Sequence, residues 1–118
     1  MNSGILIKSL LIAVFLTPSF SAYSAGATGD RQISYIEVMS NGGILIEGAT
    51  NFNNPDACAN SHRVVILPDN PYLKLYYAAA LTAYSSDNYI WAWVDGCWNA
   101  PWGAQFPIVV NAATRTAQ

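Results

Sequence analysis

The stretch YLKLYYAAALTAYSSDNYIWAWVDGCW, Tyr72 to Trp98, decides the fold because its hydrophobic period changes partway along. Its first half has apolar residues at steps of three and four, the pattern of a helix with one apolar face. Asn70 can cap this helix, Pro71 suits its first turn, and small polar residues predict its end around 85–88. The predicted core face consists of Leu73, Tyr76, Tyr77, Ala80, Leu81 and Tyr84.

The second half of the stretch alternates between aliphatic and aromatic residues, which is the pattern of a strand. Its aliphatic face, Ile90, Ala92 and Val94, is expected to pack beneath the helix. The opposite face carries Trp91 and Trp93, and aromatic residues at a period of two usually pack. We therefore expect these two tryptophans in the core or in a subunit interface.

Three strands are predicted before the helix. The first, RQISYIEVM, changes phase midway, which predicts a bulge. The turn formers SNGG then predict a hairpin to a second strand, ILIEG, with Ile44 and Ile46 inward and Leu45 and Glu47 outward. A loop, TNFNNPDACANSH, leads to a short apolar third strand at RVVIL, and QFPIVVNA forms a last strand after the aromatic one.

The resulting order β-β-β-α-β-β predicts a mostly β, α+β domain. It is the element order of an OB-fold, a small Greek-key barrel with its helix between strands three and four. A mixed α+β sandwich with the same order is the alternative.

The first 25 residues have the pattern of a secretory signal. Lys8 precedes an apolar run that ends near Leu16, which is short for a membrane span of about 20 residues. Small residues predict cleavage between Ala22 and Ala27, and an uncleaved anchor is the alternative. The remainder, 28–118, is expected to form one secreted or periplasmic domain without membrane insertion.

Charge and cysteine content narrow the class further. Removing Lys8 leaves four of the five Lys and Arg against seven Asp and Glu, a formal charge of −3, so a basic surface for nucleic acid is missing. An exported chain with two cysteines most simply pairs them, which predicts a Cys58–Cys97 disulfide. A reactive thiol is the alternative, but Asp95 beside Cys97 opposes the lowered thiol pKa that it needs.

The segment CWNAPWGAQ predicts a binding site. It reads as a loop in which Trp98 and Trp102 are hard to bury, and exposed loop aromatics often serve recognition. Indole rings stack on sugars while amides and carboxylates bind the hydroxyls. The expected ligand-binding residues are Trp98, Trp102, Asn99, Gln105, Asp95 and Asn41, the last brought close by the loop between strands one and two of an OB-fold. The same residue types also make hot spots for protein partners.

A resemblance supports this interpretation. The run from Tyr72 to Trp102 resembles the matching part of the B subunits of subtilase-type, pertussis-like bacterial toxins. The resemblance implies a secreted OB-fold protein that binds glycans and assembles as a ring of five. The segment NNPDACANS also looks like one in small uncharacterised secreted bacterial proteins. No site residue of either group is carried over.

The composition of the helix favours a homo-oligomer, because its second face carries mostly small or apolar residues. That face consists of Leu75, Ala78, Ala79 and Thr82, and Lys74 is the only charge between Asp69 and Asp87. An exposed alanine-rich face of a monomer is the alternative.

Catalysis has little support. His62 is the only histidine, and Asp56 and Asp95 are expected to be turn carboxylates, although the disulfide could bring them together as a pair. No metal-binding or phosphate-binding motif is present, and we expect no cofactor. The leading hypothesis is a secreted, non-enzymatic glycan-binding module similar to a toxin B subunit. The alternative is a periplasmic inhibitor or immunity-like protein that binds a partner enzyme through the aromatic loop.

Overall fold

The computed structural model describes residues 24–116, so most of the predicted signal segment lies outside the described residues, and the predicted cleavage window between Ala22 and Ala27 overlaps their start. One helix and six strands follow in chain order. They are β1 (Gly26–Ala27), β2 (Ile33–Val38), β3 (Ile44–Gly48), β4 (Arg63–Ile66), α1 (Leu73–Ser85), β5 (Tyr89–Asn99) and β6 (Gln105–Arg115). The predicted helix and all five predicted strands are confirmed, and the two-residue β1 is an addition that the sequence did not reveal. No helix between residues 24 and 116 is long and apolar enough to span a membrane.

The strands form one sheet in the order β1-β5-β6-β4-β3-β2. All neighbours are antiparallel except β4 and β6, which run parallel with Val65 opposite Ile108. Within residues 24–116 the fold is therefore mostly β with one helix, as expected. The ladder does not close into a continuous barrel.

The chain before β2 lies along the opposite edge of the sheet from β2 itself. Gly26 pairs with Val94 of β5, and the backbone groups of Arg31 and Ile90 exchange hydrogen bonds of 3.0 and 2.8 Å. The chain then joins β3 as strand β2, and the register shifts between Ile33 and Tyr35, which confirms the predicted bulge. The segment from β1 to β2 thus forms both edges of the sheet.

Helix α1 packs over one face of the sheet through small residues. Ala80 and Ala83 are buried, and Thr114 Oγ1 donates a hydrogen bond to the carbonyl oxygen of Ala79 at 2.7 Å. The predicted core face was partly wrong, because Leu81 and Tyr84 are 41% and 47% exposed. The alanines allow the helix to approach β6 closely, which turns Ala83 inward instead.

The start of the helix also differs from the prediction. Asn70 is not its N-cap, since α1 begins at Leu73 and Tyr72 occupies the cap position without a side-chain hydrogen bond. Asn70 Oδ1 instead accepts a hydrogen bond from the backbone amide of Tyr72 at 2.8 Å, which forms a turn just ahead of the helix.

The core beneath the helix contains the aliphatic residues of the sheet. Its buried members are Ile33, Ile44, Ile46, Phe52, Val64, Ile66, Ala80, Ala83, Ile90, Ala92, Val94 and Val109. The inward prediction for Ile44, Ile46 and the aliphatic face of β5 is therefore confirmed.

A second buried cluster lies on the other face of the sheet. It consists of Leu45, Val65, Ala100 and Phe106, with Trp98 and Ile108 among the partly buried residues around it. The outward prediction for Leu45 was wrong, because the end of the β5–β6 hairpin covers this part of β3 and β4. Glu47, in contrast, is only half-buried.

Trp91 and Trp93 do not belong to either core. Trp91 is half-buried and Trp93 is 40% exposed, with their ring centroids 6.5 Å apart on the uncovered face of β5. The core alternative for this pair is thus wrong within the single chain. On the helix, Leu75 is 68% exposed. An interface at these residues, and the pentamer, stay predictions that light scattering can test.

The disulfide between Cys58 and Cys97 is confirmed, with 39 residues of sequence separation. It ties the loop between β3 and β4 to the C-terminal part of β5. Asn54 orders this loop, since its side chain donates to the carbonyl oxygen of Cys58 at 2.7 Å and accepts from the Cys58 amide at 3.0 Å.

Candidate functional site

Two hairpins of the sheet end close to each other and build the site. The first joins β2 to β3 through a tight turn in which the Met39 amide donates to the Gly43 carbonyl oxygen at 2.8 Å. Gly42 adopts a φ of 89°, in the left-handed region that favours glycine. Asn41 Oδ1 accepts a hydrogen bond from the Gly43 amide at 2.8 Å, so its side chain is held at the tip.

The second hairpin joins β5 to β6. Trp98 lies on β5 opposite Phe106, so its predicted loop position was wrong. The turn is closed by the Ala100 amide, which donates to the Ala104 carbonyl oxygen at 2.8 Å. Trp102 alone of the two tryptophans lies in the turn, and it is 56% exposed.

The aromatic rings of this hairpin contact one another in series. Trp98 and Trp102 meet edge to face, with centroids 5.9 Å apart and an interplanar angle of 76°. Trp102 also contacts the buried Phe106 at 6.4 Å, and His62 packs against the same phenyl ring at 5.4 Å. Because Phe106 is part of the second core cluster, the exposed indole of Trp102 has a rigid support.

A groove of about 400 Å³ lies between the two hairpins. Its lining residues are Glu37, Val38, Met39, Ser40, Asn41, Trp98, Pro101 and Trp102. The structure thus brings together three predicted residues, Asn41, Trp98 and Trp102. The contribution of β2 to the groove was not predicted, since its only signal in the sequence was its position directly before the SNGG turn.

The other predicted site residues do not line this groove. Gln105 Nε2 donates to Asn99 Oδ1 at 3.0 Å, and Gln105 Oε1 accepts from the Ala59 amide at 2.8 Å. Gln105 therefore holds the loop of Cys58 against the hairpin. Asp95 is exposed on β5.

The charged groups near the groove are ordered by hydrogen bonds. The Tyr35 hydroxyl donates to Glu37 Oε1 at 2.7 Å, and this bond raises the pKa of Tyr35 above its ordinary value. The Arg63 guanidinium lies 5.4 Å from the centroid of the Tyr35 ring, a cation–π contact. Arg63 Nε also donates to Glu47 Oε1 at 3.0 Å, which lowers the pKa of Glu47.

The carboxylates that could have formed a catalytic pair have structural surroundings. Asp56 Oδ2 accepts a hydrogen bond from the Gly96 amide at 2.6 Å, while Asp95 is exposed. Among residues 24–116, no group of three or more His, Cys, Asp and Glu side chains is arranged to hold a metal ion. The groove itself offers aromatic faces, amide and hydroxyl groups, and one carboxylate.

No protein-family model, curated protein or solved structure matches the chain. Support for a function therefore comes from the groove and its surroundings.

Proposed function

We propose that the protein is an exported, non-enzymatic binding module that recognises a glycan in the groove between its two hairpins. The observation that carries this proposal is the edge-to-face pair of Trp98 and Trp102 beside Asn41 in one groove. Indole faces stack on the C–H faces of sugars, and the amide binds hydroxyl groups.

The size and lining of the groove support a small ligand. Its volume of about 400 Å³ lies within the range of about 300–1,000 Å³ that is typical of ligand sites. Pro101 and Val38 add apolar surface, while Ser40 and Glu37 add groups that bind hydroxyls. A sugar ring has this combination of apolar faces and polar edges.

The groove is also ordered before a ligand arrives. The Asn41 side chain is fixed by the Gly43 amide, and Trp102 rests on the buried Phe106. Ordering a free side chain on binding costs about 0.5–1.5 kcal/mol, so groups that are already held bind a ligand more tightly.

The fold that we propose is OB-like, similar to that of a toxin B subunit. In an OB-fold the loops between strands one and two and between strands four and five flank the ligand face. If the short β1 is set aside, the β2–β3 turn and the β5–β6 turn are these two loops, and both contribute to the groove. The backbone bridge between Arg31 and Ile90 further supports a barrel-like curvature of the sheet.

A secreted or periplasmic location is part of the proposal. The Cys58–Cys97 disulfide supports it, because disulfides persist in oxidising compartments. N-terminal sequencing of exported protein, with cleavage expected between Ala22 and Ala27, tests this point.

A glycan array followed by titration calorimetry tests the binding function. We expect Trp102→Ala to weaken binding of the best array ligand at least about 30-fold, as expected for a hot-spot contact of about 2 kcal/mol. Trp93→Ala is the matched control, because it removes an indole of similar exposure outside the groove and should leave binding unchanged. An array without any bound glycan, together with a partner enzyme recovered by pull-down and released by Trp102→Ala, would instead establish the inhibitor alternative.

A further inference from the structure

We infer that the glycan carries an unacetylated amino group, and that Glu37 is the residue that selects it. This inference rests on the proposed function, since it names the class of sugar that the same groove would bind. It concerns the charge of the ligand, which the pair Trp98 and Trp102 alone does not determine.

Glu37 makes the charge of the groove negative. The other lining residues are apolar, aromatic, hydroxyl or amide side chains, so Glu37 is the one ionised group among those that line the groove. Glu37 lies on β2 as a partly buried residue, and its carboxylate is the nearest formal charge to a ligand in the groove. A cationic group is therefore favoured in the groove and an acidic sugar is opposed.

The carboxylate of Glu37 is held in place by a neighbour. The Tyr35 hydroxyl donates to Oε1 at 2.7 Å, which leaves Oε2 to accept from a ligand. The Tyr35 ring is in turn covered by the Arg63 guanidinium at 5.4 Å. Tyr35 is thus a positioning residue for Glu37.

Arg63 does not cancel the charge of Glu37. Its guanidinium forms a salt bridge of 3.0 Å with Glu47, a bond strong enough to lower the pKa of that carboxyl. Because Arg63 is paired with Glu47, the carboxylate of Glu37 keeps its own negative charge beside the groove. Ser34 Oγ adds a further donor to Glu47, not to Glu37, at 3.2 Å.

The tryptophans favour the same ligand charge. The negative face of an indole ring attracts an ammonium group, with about 0.5–2 kcal/mol depending on how far the site is desolvated. Trp98 and Trp102 therefore add to the attraction of Glu37 for an amino sugar. An N-acetylated sugar would keep the stacking contacts but lose both charge interactions.

The experiment compares a fully deacetylated glucosamine tetrasaccharide with its N-acetylated counterpart by calorimetry at one mildly acidic pH. We expect the amino form to bind roughly 10-fold more tightly, and the preference to shrink at about 0.5 M salt because the charges are screened. Glu37→Gln should lower the affinity for the amino form to about that of the N-acetylated form and so abolish the preference. Asp95→Asn, which changes an exposed carboxylate outside the groove, is the matched control and should keep the preference.

The outcomes separate the inference from the function on which it rests. Equal affinity for the two tetrasaccharides, tighter binding of a sialylated or uronic acid oligosaccharide, or an unchanged preference in Glu37→Gln would overturn the inference and leave glycan binding standing. Failure of every glycan in the array to bind would overturn both.

Discussion

The backbone amide of Gly96 donates a hydrogen bond to Asp56 Oδ2 over 2.6 Å, one residue before Cys97. The loop between β3 and β4 is therefore tied to β5 twice, once by the Cys58–Cys97 disulfide and once by this carboxylate. Gly96 has a φ of 80°, which a residue with a Cβ adopts only with strain. The second tie thus depends on a glycine at this point of the strand.

Replacing Asp56 should weaken the loop attachment. Asp56→Ala leaves the Gly96 amide without its acceptor, which should lower the free energy of unfolding by about 1–3 kcal/mol. Asp56→Asn keeps an oxygen acceptor and should cost less, particularly because Oδ1 of the native carboxylate is buried without a partner among residues 24–116. Urea denaturation measures the stability of both variants. Asp95→Ala, at an exposed position of β5, is the control and should leave stability nearly unchanged.

Loss of the disulfide should be the larger change. A cross-link across 39 residues removes conformational entropy from the unfolded chain, and its loss should cost about 4 kcal/mol in the chain-entropy model. The double variant Cys58→Ser with Cys97→Ser should melt at the temperature of the reduced native protein. A reduced protein as stable as the oxidised one would contradict this expectation.

Burial separates the aromatic residues of the second hairpin. Phe106→Ala removes a buried ring and should cost about 3–5 kcal/mol, whereas Trp102→Ala removes an exposed ring and should cost about 1 kcal/mol or less. Thermal melts of the two variants check the difference. Strong destabilisation by Trp102→Ala would show that this indole is needed for folding, and the loss of glycan binding in that variant would then no longer report a ligand contact.

Acid should weaken the protein partly through Glu47. Hydrogen bonding to Arg63 lowers the pKa of this carboxyl in the folded chain below its ordinary value of 4.5. A lowered folded pKa gives stability that is present above the unfolded pKa and is lost as the pH falls through the folded one. Glu47→Gln should therefore reduce the free energy of unfolding at neutral pH by at most about 1 kcal/mol, as for a surface ion pair. Below about pH 4 the difference in stability between the variant and the native protein should become smaller. Melting temperatures of both proteins, measured from about pH 3 to about pH 7, where carboxyl groups titrate, test this expectation.

Thr28 should be needed for the attachment of the N-terminal segment. Its side chain is fully buried, and its Oγ1 accepts a hydrogen bond from the Ala92 amide at 3.0 Å. Thr28→Val keeps the shape but leaves that amide unpaired, so it should cost about 1–3 kcal/mol. Thr28→Ser keeps the hydroxyl and should cost less. Equal stability of the two variants in urea would contradict a role for this hydrogen bond.

The sequence alone predicted the elements well because their hydrophobic periods are clear. The alternation of Ile90, Ala92 and Val94 identified the inner face of β5, and the SNGG turn identified the hairpin that contributes Asn41 to the groove. The cysteine pairing followed from the presence of only two cysteines in a chain with a secretory pattern. These inferences needed only local spacing or residue counting.

Contacts between distant segments were harder to predict. Leu45 alternates as an outward residue, and only the return of the β5–β6 hairpin onto β3 buries it. Glu37 lines the groove because the bulge in β2 and the adjacent turn direct that strand toward Trp98. Leu81 and Tyr84 match the helical period, but the alanines set the rotation of the helix on the sheet. Such packing between elements leaves no periodic signal.

The interior position of β6 has a consequence for how the chain reaches its native state. This strand, Gln105–Arg115, is the last one in the described chain, yet it lies between β5 and β4 in the middle of the sheet. Before β6 is synthesised, β2, β3 and β4 can pair with one another, but the outer edge of β4 has no partner strand. The native sheet therefore cannot form before β6 has been synthesised, and these non-local pairings slow folding and leave strand edges exposed until then.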